Sequence, residues 1–232
     1  MVSQMARSYV QFSGQNLSRL AALSDGIFAV AMTLLILNVH VPTAALSQVQ
    51  QPLWAGDAMR TEATLWSALE PLGPQVLTYL LSFLTLGIFW AGQQTQLNHF
   101  SRSDHRLTWI HLIFLLVVVL MPFSTALLTV FITFRLAMLI YWLNIFLLGV
   151  VLFGSWRYAL RAGLVKDDVT AEMRAAVERR IVVAQALYAC GALLGIKDSY
   201  FSVHGTYVGI AFIVLVQLNY VIAPRIRLLY RL

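Results

Sequence analysis

Arg19, Ser24 and Asp25 stand at the start of a segment that is otherwise apolar or small up to Asn38. A guanidinium, a hydroxyl and a carboxylate are costly in a segment long enough to cross a bilayer. Such groups mark an ion or substrate path, or a buried pairing network. A polar entrance followed by an apolar throat is how a narrow ion pathway is written on one helix. At ~100° per helical residue, Val30, Leu34 and Leu37 fall within about 60° of one another. Leu23, Gly26 and Thr33 lie near the same line, and Arg19 lies close to its extension. Asp25 points about 140° away from Val30 and Ser24 about 120° away, so the apolar line and the acid face different surroundings.

Depth names candidate partners for the acid. At 1.5 Å per residue, Asp25 lies roughly 10 Å inside the first span. Gln93 falls at the same level of the descending second span, and His111 slightly shallower in the ascending third. A buried carboxylate needs donors, so Ser24, Asp25, Gln93 and His111 are expected to form one hydrogen-bonded cluster that pins the first span. The alternative is that each finds a backbone partner or water. Likewise, a Val/Leu string is more often lipid- or core-facing than pore-lining, and spacing leaves both open.

The elements that carry these residues follow from composition. Of 232 residues 59% are hydrophobic and 11% charged, with mean hydropathy +0.76; an ordinary soluble domain carries roughly 25% charged residues. About 20 apolar residues cross the hydrocarbon as a helix, and the uncharged runs give six spans near 18–39, 75–98, 107–130, 136–156, 179–196 and 200–223. The fifth is the shortest and needs Arg179, Arg180 and Lys197 to snorkel or the bilayer to thin. The chain therefore reads as one all-α, six-helix integral membrane domain over 1–232. Its first residues lack a signal-peptide core, so the first span is expected to be retained.

The net charge of +6 and pI near 9.8 orient the chain rather than point to nucleic acid. With six spans, Arg60, Arg135 and Lys197 fall on one side, and all other Lys and Arg, from Arg7 to Arg231, fall on the opposite side. Basic excess marks the cytoplasmic face, so both termini are expected there, with anionic lipid as a contact. The single cysteine, Cys190, excludes an intrachain disulfide and is expected to pack as a small residue.

The loop at about 40–74 holds Pro42, Pro52, Pro71 and Pro74, with a short helix expected over 61–69. With Trp54 and Trp66 it suits the membrane interface; a cap over a pore is the alternative. The stretch 166–180 reads as a solvated helix capped by Asp167, Asp168 or Thr170. Two decoys remain. Gly205-Thr-Tyr-Val-Gly209 has the letters of a potassium filter in another order and opens a span, so no re-entrant filter loop is expected. The histidines His40, His99, His105, His111 and His204 show no zinc spacing. With no nucleophile–base pair or phosphate loop either, neither an enzyme nor a cofactor is expected.

Arg19-Leu-Ala-Ala-Leu-Ser24-Asp25 resembles the Arg-x-x-x-Phe-Ser-Asp hallmark of the transmembrane protein 175 potassium channel family, with Leu23 in place of Phe. Gly26 to Leu37, the Trp90-containing end of the second span and Pro122-Phe-Ser-Thr125 are similar to that family's short prokaryotic form. Gln93 stands where the family has a histidine, His111 where it has an asparagine, and Val30 where a larger aliphatic is usual.

The resemblance implies a homotetramer whose first spans surround the axis. Val30, Leu34 and Leu37 would form a hydrophobic constriction, Thr33 would bear on potassium preference, and Arg19 would sit near the cytoplasmic mouth. The expectation is a weakly potassium-selective channel of the cell membrane, with K+ as the permeant ion. A proton- or cation-coupled carrier using Asp25 is the alternative; the absence of an inverted repeat and of matched helix breaks argues against it.

Overall fold

The computed structural model describes residues 17–41, 58–70, 72–198 and 205–222. The expectations for Arg7, Pro42, Pro52, Trp54, Pro71, His204 and the two termini lie outside them. The described residues form helices α1 (Leu17–Leu35), α2 (Ala58–Leu69), α3 (Leu72–His99), α4 (His105–Val119), α5 (Met121–Val130), α6 (Arg135–Arg161), α7 (Ala171–Asp198) and α8 (Gly205–Ile222). A 3-10 turn, Ile36–Asn38, extends α1.

Among the described residues, four segments are long and apolar enough to cross a membrane: Leu17–Asn38, Leu72–His99, His105–Val130 and Arg135–Arg161. They match the first four expected spans. The third is broken at Leu120, because Pro122 in the first turn of α5 has no N–H to continue the ladder. Between Arg161 and α7, Gly163 takes a left-handed φ of 64°, which lets the chain turn back at the end of α6.

The fifth expected span differs. The solvated helix and the apolar stretch after it are one continuous 28-residue helix, α7, with no break at Arg179–Arg180. Thr170 caps it, its Oγ1 accepting from the Met173 N–H at 3.3 Å, and Asp167 and Asp168 stay exposed. Nothing in the charges interrupts helical geometry, so the helix runs from polar to apolar surroundings without a joint. Cys190 lies exposed on α7, contrary to expectation. The contacts to α8 are made instead by Tyr188, whose hydroxyl accepts from Gln217 Nε2 at 3.4 Å, and by Gly191, which lies against Ile213.

The core follows from which helix faces are apolar. α1 packs against α3, α4 and α5, α6 packs against α4, α5 and α7, and α8 lies between α7 and α3. A large cluster including Phe28, Leu35, Leu86, Phe114, Tyr141 and Ile145 joins these elements. A smaller one around Leu97, Phe100, Leu107 and Trp156 closes one end of the bundle. There the loops after α3 and α6 pair: the Ser101 N–H donates to the Leu164 carbonyl at 2.8 Å and the Lys166 N–H to that of His99 at 2.9 Å. Asp104 caps α4 by accepting from the Leu107 N–H at 2.7 Å, while its other oxygen accepts from the Tyr158 hydroxyl.

Close approach of α7 and α8 requires a side chain no larger than hydrogen at Gly191, where an added Cβ would overlap Ile213. Small residues at helix contacts allow such approach in membranes. Gly191→Leu is expected to lower stability by about 1–3 kcal/mol through overpacking, read as an earlier melting transition in detergent. Leucine at the open position Gly154, where nothing stands within 4 Å of an added Cβ, is the control.

Candidate functional site

α1 has two faces. Leu20, Ser24, Phe28, Ala31 and Leu35 are buried at successive helical turns and hold the helix to the bundle. The opposite line carries Val30, Leu34 and Leu37, which are 58%, 42% and 65% exposed in the single chain. Leu35 beside them is 0% exposed, so the aliphatic line is free because of its position on the helix, not because the segment is loosely packed. Thr33 shares the exposed face, and its hydroxyl donates to the Val30 carbonyl of its own helix at 2.8 Å. Arg19 is exposed near the start of α1 and, among the described residues, joins no ion pair. An apolar groove of about 420 Å³ runs beside this line, walled by Ala22, Gly26, Val30 and Leu34 of α1 and by Val119 and Pro122 at the break in the third span.

The polar residues divide differently from the single cluster expected of them. Ser24, fully buried, accepts from Gln93 Nε2 at 2.9 Å. Asp25 is exposed and turns to α3, where its Oδ1 accepts from Trp90 Nε1 at 2.8 Å and from Gln94 Nε2 at 2.7 Å. Ser24 and Asp25 are consecutive on one helix, Gln93 and Gln94 on the other. Each pair diverges by ~100°, so the two bonds form separate rungs, one inward and one outward. Trp90 shares the outward face of Gln94, one turn away. His111 joins neither rung: its Nδ1 is 3.0 Å from the carbonyl of Leu107 on its own helix, and its ring packs edge-on against Phe100.

Trp90 and Gln94 are the site residues that depth counting missed. Their signal is a pair of N–H donors at i, i+4, one helical turn apart, at the level of an acid. Among the described residues no group of three His, Cys, Asp or Glu side chains is placed to hold a metal ion.

The arrangement is thus one helix tied to α3 by a polar double rung, with an unpartnered aliphatic line above an exposed arginine. The family described as "Endosomal/lysosomal potassium channel TMEM175" matches residues 19–122, which span the rung, the line and the proline break. A protein named potassium channel from Streptomyces collinus is 36% identical over 110 residues, covering 47% of this chain and 46% of that protein. One so named from Chamaesiphon minutus is 30% identical over 148 residues, 62% of this chain and 66% of its own length. The chain therefore spans from about half to just under two thirds of these relatives.

The crystal structure of a lysosomal potassium-selective channel TMEM175 homolog from Chamaesiphon minutus shares the fold at a TM-score of 0.66. That comparison has 22% identity and covers 90% of this chain and 98% of the other. Over residues 19–122, the chain is thus similar to the TMEM175 family.

Proposed function

We propose that this chain is a cation channel that passes potassium preferentially, its pore lined by the first helices of four copies. The observation that carries the reading is the exposed line Val30–Leu34–Leu37, on a helix whose other face is fully packed. Along that line the described residues of a single chain form a one-sided apolar groove, so the helix needs copies of itself to make a wall. A ring of aliphatic side chains gates by excluding water: narrow, it dewets and blocks; slightly wider, it passes a partly hydrated ion. Potassium loses its hydration more cheaply than sodium, so such a throat selects weakly without coordinating carbonyls. Thr33, its hydroxyl turned to the helix backbone, then tunes the ring by shape more than by ligating the ion.

In this reading the apolar part of α7 and α8 are the fifth and sixth spans, both termini are cytoplasmic, and the protein resides in the cell membrane. It is not an enzyme and has no cofactor. Names given to relatives, potassium channel among them, support the choice of ion.

The deciding experiment is reconstitution into liposomes with a potassium gradient. Fast, uncoupled flux that sets the membrane voltage near the potassium equilibrium value is expected, and it weakens when sodium replaces potassium. Flux of fixed stoichiometry with protons would replace the channel by a carrier working at Asp25.

A further inference from the structure

Beyond the break at Leu120, the backbone ladder no longer fixes the angle of α5, because Pro122 supplies no N–H. Three hydroxyls on one side of this ten-residue helix contact its neighbours instead. Ser124 Oγ lies 3.0 Å from the side-chain amide of Asn144 on α6. Thr125 Oγ1 lies 2.8 Å from Ser82 Oγ on α3, and Thr129 Oγ1 lies 2.7 Å from Thr78 Oγ1 one turn further along α3.

The middle pin continues into the bundle. Ser82 Oγ is 3.2 Å from the Tyr141 hydroxyl of α6, which is 3.4 Å from Thr85 Oγ1, and Thr85 Oγ1 accepts from Gln217 Nε2 of α8 at 2.6 Å. Ser82, Thr85, Tyr141, Thr125 and Gln217 are all 0–1% exposed. The hydrogens run one way along it, each used once: Thr125 to Ser82, Ser82 to Tyr141, Tyr141 to Thr85, and Thr85 to the Leu81 carbonyl, 2.8 Å away. A buried chain in which each hydroxyl is bonded rigidifies what it joins.

Another side of the same segment meets α1. Val119 and Pro122 wall the groove with Val30 and Leu34, and Asn38, at the outer end of the first span, directs its Nδ2 to the Pro122 carbonyl at 3.4 Å. The segment that backs the aliphatic line is therefore joined to α4 through a proline break and held from behind by side-chain hydroxyls.

We infer that Ser124, Thr125 and Thr129 are positioning residues: they set the angle of α5 about the break, and through Pro122 the seat of α1 and the width of its aliphatic line. The inference rests on the pore reading for its functional consequence, not for the placement of α5. It separates two roles on α1. Val30, Leu34 and Leu37 meet the ion, while the pins, which never touch it, decide how the helix that bears those residues sits.

The test compares the unmutated protein with Thr125→Val, which keeps the shape and removes the hydroxyl, and with Thr129→Val as a second, separate pin. Nitroxides at Phe123→Cys and Val150→Cys, both exposed, report the α5–α6 distance in a Cys190→Ser background. Labelled copies are diluted in excess unlabelled protein. The expected distance shift is about 1–2 Å in each variant. In bilayers the open fraction is expected to change about fivefold, as for loss of one buried hydrogen bond, with single-channel conductance and potassium preference kept.

A purely structural role would lower the melting temperature and leave the open fraction where it was. An unchanged distance in both folded variants, or a shifted distance with an unaltered open fraction, overturns the inference. A shifted distance in a protein that carries no ions even when unmutated removes the pore reading and leaves the pinning of α5 standing.

Discussion

Leu34→Ala is expected to raise single-channel potassium conductance about three- to tenfold and to move the potassium-to-sodium permeability ratio toward one. The size follows from what the throat does. An aliphatic ring blocks because a thread of water and a partly hydrated ion are poorly solvated between methyl groups. In the proposed tetramer, cutting Leu34 to its Cβ removes three carbons from each of four walls, widening the ring and lowering the cost of wetting it. A barrier lowered by about 1 kcal/mol already gives a roughly fivefold faster passage. Leu37→Ala is expected to act in the same direction and Leu34→Trp in the opposite one.

Thr33→Ala separates width from preference. Its hydroxyl is bonded to its own helix, so the variant is expected to erode potassium preference with a smaller effect on conductance. Single-channel recording under bi-ionic conditions reads both quantities. Unaltered currents in the alanine variants at 33, 34 and 37 would place the pore elsewhere, most directly within each chain rather than between copies.

What the sequence could tell depended on which coordinate of a residue mattered. Level along the membrane normal was readable, because 1.5 Å per residue fixes depth once a span is recognised. Counting put Gln93 at the level of Asp25, and in the structure it bonds the adjacent Ser24. Azimuth between helices was not readable. Gln93 and Gln94 sit at nearly the same depth, and only the packing of α1 on α3 decides that the first turns to Ser24 and the second, with Trp90, to Asp25.

His111 shows the same limit. Depth counting put it slightly shallower than Asp25, but its ring is held by Leu107 and Phe100 and joins neither rung. The face of α1 was legible because periodicity within one helix needs no knowledge of its neighbours. The α5 pins were not, since Ser, Thr and Asn in an apolar run name no partner until the helices are in place. The line between the solvated helix at 166–180 and the fifth span at 179–196 was a hydropathy boundary, and helical geometry does not respect one.

Asp25→Leu is expected to destabilise the assembled protein by about 2–4 kcal/mol, and Asp25→Asn by roughly half of that or less. In the unmutated chain one carboxylate oxygen receives two N–H donors, Trp90 Nε1 at 2.8 Å and Gln94 Nε2 at 2.7 Å, both from α3. Bonds to an ionised acceptor are stronger than neutral ones, and a membrane segment offers the donors few replacements. Leucine deletes the acceptor and leaves both donors to find another. Asparagine keeps an oxygen where the carboxylate oxygen stood, so both donors stay satisfied and only the charge is lost.

The pair of variants therefore decides what the acid does. For an anchor between α1 and α3, thermal stability and tetramer content should fall in the order unmutated, Asn, Leu, with potassium flux in the Asn variant largely kept. For a carrier site that must bind and release a proton or cation, Asp25→Asn should abolish flux while leaving stability nearly untouched. Melting curves and size-exclusion profiles in detergent, set beside liposome flux for the same preparations, distinguish the two. The anchor is favoured in advance because both donors come from one neighbouring helix, one turn apart, which is the geometry of a clamp.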